Sequence, residues 1–307
     1  PEGGAWPLLR DFRHESRRTA DCASFLAFSG ELAAAGSPEG LLDRLTAFYQ
    51  TRGVGLLGMG QVFRARRTGD GAELVPVEDR PPVRLADLVG YRQQKDLLIR
   101  NTEAFLRGKG SNNVLLYGDA GTGKSTSIQA LVNEYADQGL RLIELYKEQY
   151  DLIPDILRQV KGRNYRFLLF LDDLSFEENE TSYKYLKAVM EGGAEAPPEN
   201  VRICATSNRR HLIKETLTDR TGDDIHEADT RQELMSLSAR FGLTVTFQRP
   251  EKARFETILE ELAKQHHVDM PMDQLLVKAE AFAIRAGGRS PRVAKQFIEQ
   301  CEAGVQK

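Results

Sequence analysis

The sequence predicts an α/β fold in which a parallel β-sheet is covered by helices on both faces. Between residues 83 and 249, short apolar runs alternate with segments that have helical spacing. This alternation is typical of a parallel sheet whose strands are buried on both sides. After Pro250 only helical patterns remain, which predicts a small helical domain at the carboxyl end.

The first 80 residues follow a different pattern from the rest of the chain. Two helical segments and a strand pair around a glycine turn are predicted there, at 21–35, 37–49, 61–65 and 73–77. Pro81 and Pro82 then favour a linker. We therefore expect an accessory α+β domain, an α/β core and a helical domain, at residues 1–80, 81–249 and 250–307.

Within the core, each apolar run predicts a buried strand. The predicted strands lie at 113–117, 140–145, 166–171, 201–206 and 243–247. Helices are expected between the strands and after the last one, at 84–106 with its preceding loop, 124–138, 151–160, 182–191, 252–266, 272–287 and 291–303.

A glycine-rich loop follows the first core strand and opens the next helix. Residues 118–125 match G-x-x-x-x-G-K-[ST] at every fixed position. Glycines let backbone amides turn toward phosphates, Lys124 places its charge at the β- and γ-phosphates, and the Ser125 hydroxyl reaches Mg²⁺. A glycine turn without a ligand is the alternative. The predicted binding residues for ATP or ADP are Gly118, Asp119, Ala120, Gly121, Thr122, Gly123, Lys124, Ser125 and Thr126.

A pair of carboxylates forms the second predicted part of the site. Asp172 and Asp173 directly follow the apolar strand at 166–171. A carboxylate at the end of a buried strand can hold Mg²⁺ through water, so Asp172 is the predicted metal residue together with Ser125. Asp173 can orient or deprotonate the attacking water. Aspartates that cap a helix or a turn are the alternative reading.

Composition excludes some classes of protein. The net charge of −3 does not indicate a protein that coats nucleic acid, although a local basic patch is compatible with it. No apolar run approaches the ~20 residues of a membrane span. The three cysteines, Cys22, Cys204 and Cys301, are scattered, which favours a reducing cytoplasm. Because the first residue is Pro1, we expect the native N-terminus to lie upstream.

Between residues 84 and 301 the chain resembles the AAA+ class of P-loop ATPases. Besides the phosphate loop and Asp172, the resemblance is carried, in the class order, by segments 85–91, 205–208, 237–242 and 289–292. It implies a five-stranded parallel sheet between helices, a helical lid, and the use of Mg-ATP. Segments 101–106, 172–177 and 205–212 are also similar to a bacterial AAA+ family, the domain of unknown function numbered 815.

The resemblance implies further site residues. Val89, Gly90 and Tyr91 match the segment that lines the adenine pocket. Asn208 matches sensor 1, a polar residue at a strand end that helps to position the lytic water. A plain turn is the alternative for Asn208.

The same resemblance implies roles for two arginines. Arg240 matches the arginine finger, which reaches the γ-phosphate held by a neighbouring subunit and so requires a head-to-tail oligomer. Arg292 matches the sensor 2 arginine of the lid. For both, a solvated or helix-capping arginine is the alternative.

Asp173 departs from the AAA+ pattern, since most members carry Glu at this position. The leading hypothesis is an oligomeric ATPase that remodels or loads an unknown macromolecule. The alternative is a loader or adaptor switched by nucleotide, with slow hydrolysis or none. A small-molecule kinase is disfavoured by the helical domain, and peptide threading by the absence of glycine from residues 146–150.

Overall fold

The computed structural model describes residues 28–52, 56–69, 71–77, 80–174, 182–192, 196–208 and 237–305. The chain divides into two compact units, Pro1–Gln50 and Thr51–Lys307. The predicted division into three domains stays a prediction. Cys22, part of the helix predicted at 21–35, and residues 175–177 and 209–212 of the family resemblance lie outside the described residues.

Helical segments precede the first strand of the sheet. Helix α1 (Pro38–Arg52) begins directly after Ser37, whose Oγ accepts a hydrogen bond from the Gly40 backbone amide at 3.0 Å. Ser37 therefore acts as the N-cap of α1, and proline is favoured at the first helical position because its missing N–H would have no partner there. Helix α2 (Leu56–Met59) follows.

Seven strands form one sheet in the order β2-β1-β4-β5-β6-β3-β7. Their bounds are β1 (Val62–Thr68), β2 (Gly71–Pro76), β3 (Val114–Gly118), β4 (Leu140–Leu145), β5 (Arg166–Leu171), β6 (Val201–Ser207) and β7 (Leu243–Phe247). All neighbouring pairs are parallel except β1 and β2. The predicted parallel α/β sheet is confirmed.

The sheet is two strands wider than the resemblance implied, because the N-terminal hairpin joins it. Strand β1 pairs with β4 in parallel from Val62↔Leu142 to Arg64↔Glu144. Val62 packs in one apolar cluster and Phe63 and Ala65 pack in the other, so β1 contributes buried side chains to both faces of the sheet. A hairpin pattern in the sequence indicates that two strands pair with each other, but it does not indicate which sheet they extend.

Helices cover both faces. The core helices are α3 (Arg92–Leu106), α4 (Lys124–Tyr135), α5 (Ile153–Val160) and α6 (Ser182–Met190), with 3₁₀ turns at Ala136–Gln138 and Lys147–Leu152. Successive residues of one strand enter different apolar clusters: Leu169 packs with α5 and α6, whereas Leu168 packs with α3 and α4. Because side chains alternate along a strand, the uninterrupted apolar runs require cover on both faces.

The carboxyl-terminal part is helical, as predicted. It consists of α7 (Lys252–Gln265), α8 (Met272–Arg285) and α9 (Pro291–Glu302). Phe255, Leu275 and Phe297 are buried members of its apolar cluster. Ser290 caps α9 by accepting a hydrogen bond from the Val293 amide at 3.2 Å. Among the described helices, none combines the length and apolarity needed to span a membrane.

Candidate nucleotide-binding site

The phosphate loop, Asp172, Asp173 and Asn208 meet at the carboxyl edge of the sheet. Strands β5, β6 and β3 are neighbours, with Leu171 paired to Ala205 and Tyr117 paired to Ser207. The residues that follow these strands therefore lie side by side. Open parallel sheets bind ligands at this edge.

The phosphate loop turns sharply between β3 and α4. Gly118, Gly121 and Gly123 have φ angles of 135°, 77° and 93°, a region that side chains disfavour. The loop is tied to β7 because the Asp119 amide donates to the Phe247 carbonyl at 2.9 Å. Gly123 is the N-cap of α4, so the free amides of the first helical turn point at the space that the loop encloses.

Gly118→Ala is expected to destabilise the fold strongly. A Cβ on Gly118 would overlap the Phe247 carbonyl oxygen, which belongs to the neighbouring strand and cannot move without breaking β3–β7 pairing. We expect a loss of roughly 2–4 kcal/mol in the free energy of unfolding, measured by urea denaturation. Gly123→Ala is the matched control: its φ is also positive, but no atom lies within 4 Å of its Cβ. Equal losses in the two variants would contradict the steric explanation.

Lys124 is buried and directed at its own loop. Its Nζ donates to the carbonyls of Gly118 at 2.9 Å and Asp119 at 2.8 Å, and to Asn208 Oδ1 at 2.9 Å. Burial lowers the pKa of Lys124, while the nearby carboxylates, Asp119 first, oppose this shift. The ammonium group therefore lies at the centre of the site, between the loop and the end of β6.

Ser125 and Asp172 lie in contact. The Ser125 hydroxyl donates to Asp172 Oδ1 at 2.6 Å, and Thr206 Oγ1 donates to the same oxygen at 2.5 Å. A hydroxyl and a carboxylate oxygen side by side are hard donors that suit Mg²⁺, which takes one or two protein carboxylates together with phosphate oxygens and water. Across the described ranges, no group of three or more His, Cys, Asp or Glu side chains could hold a metal ion.

Thr206 was not among the predicted site residues. Besides bonding Asp172, its Oγ1 accepts a hydrogen bond from the Asp173 amide at 2.9 Å, so it fixes the turn that carries both carboxylates. Thr206 lies within segment 205–208, which resembles the sensor 1 segment, and this position could have indicated that it belongs to the site. The sequence does not show that β6 lies next to β5, which is the fact that brings Thr206 to Asp172.

Asp173 and Asn208 form the next contact. Asp173 has a φ of 53°, a left-handed conformation that aspartate tolerates better than most residues. The Asn208 amide donates to Asp173 Oδ1 at 2.7 Å and its oxygen accepts from Lys124. Asn208 thus bridges the lysine and the second carboxylate.

A cavity of about 790 Å³ adjoins the phosphate loop. The predicted residues Val89, Gly90 and Tyr91 line it, together with Ile258 of α7, which lies next to Gly90. The Tyr91 hydroxyl donates to the Gln248 carbonyl at 2.6 Å, and burial raises the pKa of Tyr91 to about 12. Lys95, which sequence reasoning missed, holds this segment by donating to the carbonyls of Leu85 and Leu88 at 3.2 and 2.6 Å.

The lid helix α9 begins against the phosphate loop. The Arg292 amide donates to the Gly121 carbonyl at 3.1 Å, and Arg292 lines the cavity. Arg249 makes a second link, since its amide donates to Asp119 Oδ2 at 2.8 Å and its guanidinium donates to the Gly287 carbonyl at 2.9 Å. The structure therefore brings Arg292 to the site, and it adds Arg249 as an unpredicted connection between loop and lid.

Arg240 lies away from the nucleotide site of its own chain. It is exposed and forms an ion pair with Glu191 at 3.5 Å. It precedes β7, whose first amide bonds the Asn113 carbonyl just before β3. The phosphate loop follows the other end of β3, a distance of about 16 Å for a strand of this length. The site of the same chain is therefore completed without Arg240.

A parallel sheet with a phosphate loop after one strand, carboxylates after a nearby strand and a helical lid over the cavity defines the AAA+ class of P-loop proteins. Within this class, the chain belongs to the family described as protein of unknown function (DUF815), whose model matches residues 60–305.

Known proteins match parts of the chain. It is 36% identical over 90 residues to the replication factor C large subunit of Staphylothermus marinus, covering 29% of this chain and 21% of that protein. The FIGL-1 AAA domain in complex with ADP superposes with a TM-score of 0.50 at 16% identity, over 72% of this chain and 73% of that one. The Thermotoga maritima RuvB Holliday junction branch migration motor superposes with a TM-score of 0.49 at 18% identity, over 72% of this chain and 64% of that one. The chain thus spans about a fifth of its curated relative.

Proposed function

We propose that the protein is an ATPase that binds Mg-ATP between the phosphate loop and the lid, hydrolyses it, and couples the nucleotide state to remodelling or loading of a macromolecule. The observation that carries this proposal is the contact between Ser125 Oγ and Asp172 Oδ1 at 2.6 Å, beside the buried ammonium of Lys124. These three groups supply a metal position and a cation beside the phosphate loop, whose residues Gly121, Thr122 and Gly123 line a cavity large enough for a nucleotide.

Each residue near the phosphates has a role in this proposal. Loop amides and Lys124 bind the β- and γ-phosphates, while Ser125 and Asp172 hold Mg²⁺. When bound there with ATP, Mg²⁺ neutralises charge on the phosphates. Asp173 accepts a proton from the attacking water or orients it, and Asn208, which bonds Asp173, keeps that carboxylate in place.

The remaining residues bind the base, contact the γ-phosphate from the lid, or act on the neighbouring subunit. Val89, Gly90 and Tyr91 enclose the adenine, and Arg292 contacts the γ-phosphate from the lid. Arg240 acts on the nucleotide of a neighbouring subunit. A surface that meets a different surface on the next copy generates a ring or a filament, so the proposal includes a head-to-tail oligomer.

A second candidate is a nucleotide-switched loader or adaptor with little turnover. It is favoured by the short side chain of Asp173, whose carboxylate is held by the Asn208 amide at 2.7 Å. Tight ATP binding with negligible phosphate release, and a partner bound in only one nucleotide state, would support it over the ATPase.

Asp173→Asn is expected to retain ATP binding and to lower hydrolysis about 10²- to 10⁴-fold, because the amide cannot accept the proton of the attacking water. Phosphate release and nucleotide affinity are measured together in the full chain. Asp96→Asn, which removes an exposed carboxylate from α3, serves as the control and is expected to match the parent.

The outcomes separate the two candidates. Brisk phosphate release by the parent that is lost in Asp173→Asn supports the ATPase. Absence of release in both proteins, with ATP still bound, supports the switched loader. If folded parent protein takes up neither Mg-ATP nor Mg-ADP, both candidates are wrong.

A further inference from the structure

We propose that the amino edge of the sheet, opposite to the nucleotide site, binds the phosphate backbone of nucleic acid. The surface is defined by Lys and Arg side chains on adjacent loops and strand starts, and is called the amino-edge basic surface. Its members are Arg107, Lys109, Lys161, Arg163, Arg166 and Arg202.

Two exposed loops of the same design form most of this surface. Arg107 and Lys109 flank Gly108 in the loop before β3, and Lys161 and Arg163 flank a second glycine in the loop before β5. Both glycines have positive φ, 66° for Gly108 and 72° for Gly162. Each loop therefore presents a pair of cations on a tight turn at the same edge of the sheet.

Contacts between the loops make the surface continuous. The guanidinium groups of Arg166 and Arg202 lie over the same ring, that of Phe105, at 5.6 and 4.9 Å from its centre. Arg202 Nε donates to Ser111 Oγ at 2.9 Å, which ties it to the first loop. A Cβ on Gly108 would lie 3.1 Å from Arg166 Nη2. Arg166 and Arg202 therefore sit between the two loops.

Few carboxylates neutralise these cations. Across the parts of the chain that the structure describes, Arg107 is the only member in an ion pair, with Glu103 at 3.4 Å. Burial lowers the pKa of Arg202 most, the nearby charge of Arg166 lowers it further, and Glu199 opposes this shift. Like charges are thus crowded here in a chain whose net charge is −3.

The arginines of β1 provide an internal comparison. Arg64, Arg66 and Arg67 also follow one another closely, but each is in an ion pair with a carboxylate, at 3.1, 2.6 and 2.8 Å. Carboxylates of the same chain therefore neutralise the positive charge of these three arginines. The cations of the amino-edge basic surface are mostly not neutralised in this way, so their charge is available to an anionic partner.

The shape and chemistry of the surface favour a polyphosphate chain. Strands β3 and β5 are separated by β6, so the two loops are about 10 Å apart, which is too wide for one phosphate and suits a row of them. Among the described residues, neither loop carries an exposed large apolar side chain, whereas the centre of a protein interface is enriched in such side chains. Phosphate contacts by Lys and Arg require no base recognition.

The test uses the full chain and fluorescently labelled single-stranded and duplex DNA, titrated by anisotropy at several salt concentrations without ATP. Lys109→Gln/Lys161→Gln removes two exposed cations that lack an ion pair among the described residues. Lys252→Gln/Lys264→Gln removes the same charge from the lid helix α7, where both lysines are exposed at the surface. Circular dichroism verifies that both variants are folded.

We expect the parent to bind DNA at about 50 mM salt with an affinity that falls linearly in log–log form as salt rises. The amino-edge variant is expected to bind about tenfold more weakly, with a salt slope reduced by about 1–2, and the lid variant to match the parent. Equal weakening in both variants, or no DNA binding at low salt, would overturn the proposal. Binding of poly-glutamate or anionic lipid vesicles as tight as that of DNA, with the same loss in the amino-edge variant, would assign another partner and overturn it as well. Because ATP is absent from the assay, this result is independent of the proposed ATPase activity.

Discussion

Lys124→Met is expected to abolish the stabilisation of the protein by Mg-ATP and Mg-ADP. The Lys124 ammonium is the only cation of the predicted phosphate loop, and it is held at the centre of the site by the carbonyls of Gly118 and Asp119. Methionine has a similar length and no charge, so the β- and γ-phosphates lose their main electrostatic partner. The nucleotide-dependent rise in melting temperature measures the effect, since a ligand at 100 times its Kd stabilises the folded state by about 2.7 kcal/mol.

The variant is expected to remain folded without nucleotide. Burial opposes the charged form of Lys124, as the direction of its pKa shift shows, so removal of the ammonium relieves a desolvation cost while it removes hydrogen bonds. Lys95→Met is the matched control, because Lys95 is also a partly buried lysine that donates to loop carbonyls. A reduced but measurable nucleotide effect is expected there. A parental nucleotide effect in Lys124→Met would exclude this loop as the phosphate site.

Arg240→Ala is expected to lower hydrolysis by roughly 10³-fold or more while ATP binding is retained, because an arginine finger stabilises charge in the transition state. Arg240 is at the opposite edge of the sheet from its own phosphate loop, so the proposed target is the site of a neighbouring copy. Glu191→Gln is the matched control: it breaks the same ion pair, which measures 3.5 Å, but leaves the guanidinium in place. Its hydrolysis rate is expected to stay near that of the parent.

Mixing two inactive variants tests whether Arg240 acts between subunits. In a mixture of Arg240→Ala and Lys124→Met, a Lys124→Met subunit can supply its intact Arg240 to the intact phosphate loop of an Arg240→Ala subunit. Partial recovery of phosphate release is therefore expected, with none in either variant alone. A parent that stays monomeric in every nucleotide state, together with an unchanged rate in Arg240→Ala, would rule out the head-to-tail assembly.

Local spacing in the sequence was enough to predict much of the site. The loop that ends in Lys124 and Ser125 depends on closely spaced glycines with positive φ. This glycine spacing is visible in the sequence without any knowledge of the fold. The apolar run before Asp172 likewise shows a buried strand with a carboxylate at its end. The order of strands in space was less accessible, since the apolar runs of β3, β4, β5 and β6 look alike in sequence.

Some contacts could not be read from the chain. Thr206 bonds Asp172, Lys95 holds the segment that lines the cavity, and Arg249 links Asp119 to the lid through the Gly287 carbonyl. Each of these residues is an ordinary polar side chain in its local context. Its partner is distant in sequence or is a backbone carbonyl, which every residue has, so no local pattern singles the contact out.

By itself the sequence determined that the chain builds an α/β core with a phosphate loop, an acidic strand end and a helical lid. These features depend on spacing within a few residues, which sets backbone geometry and the alternation of buried side chains. Only the tertiary structure decided that the β1–β2 hairpin widens the sheet, that Arg240 faces away from its own site, and that basic loops gather at the amino edge. Those outcomes depend on which strands lie side by side, and strand pairing is selected by the packing of the whole core.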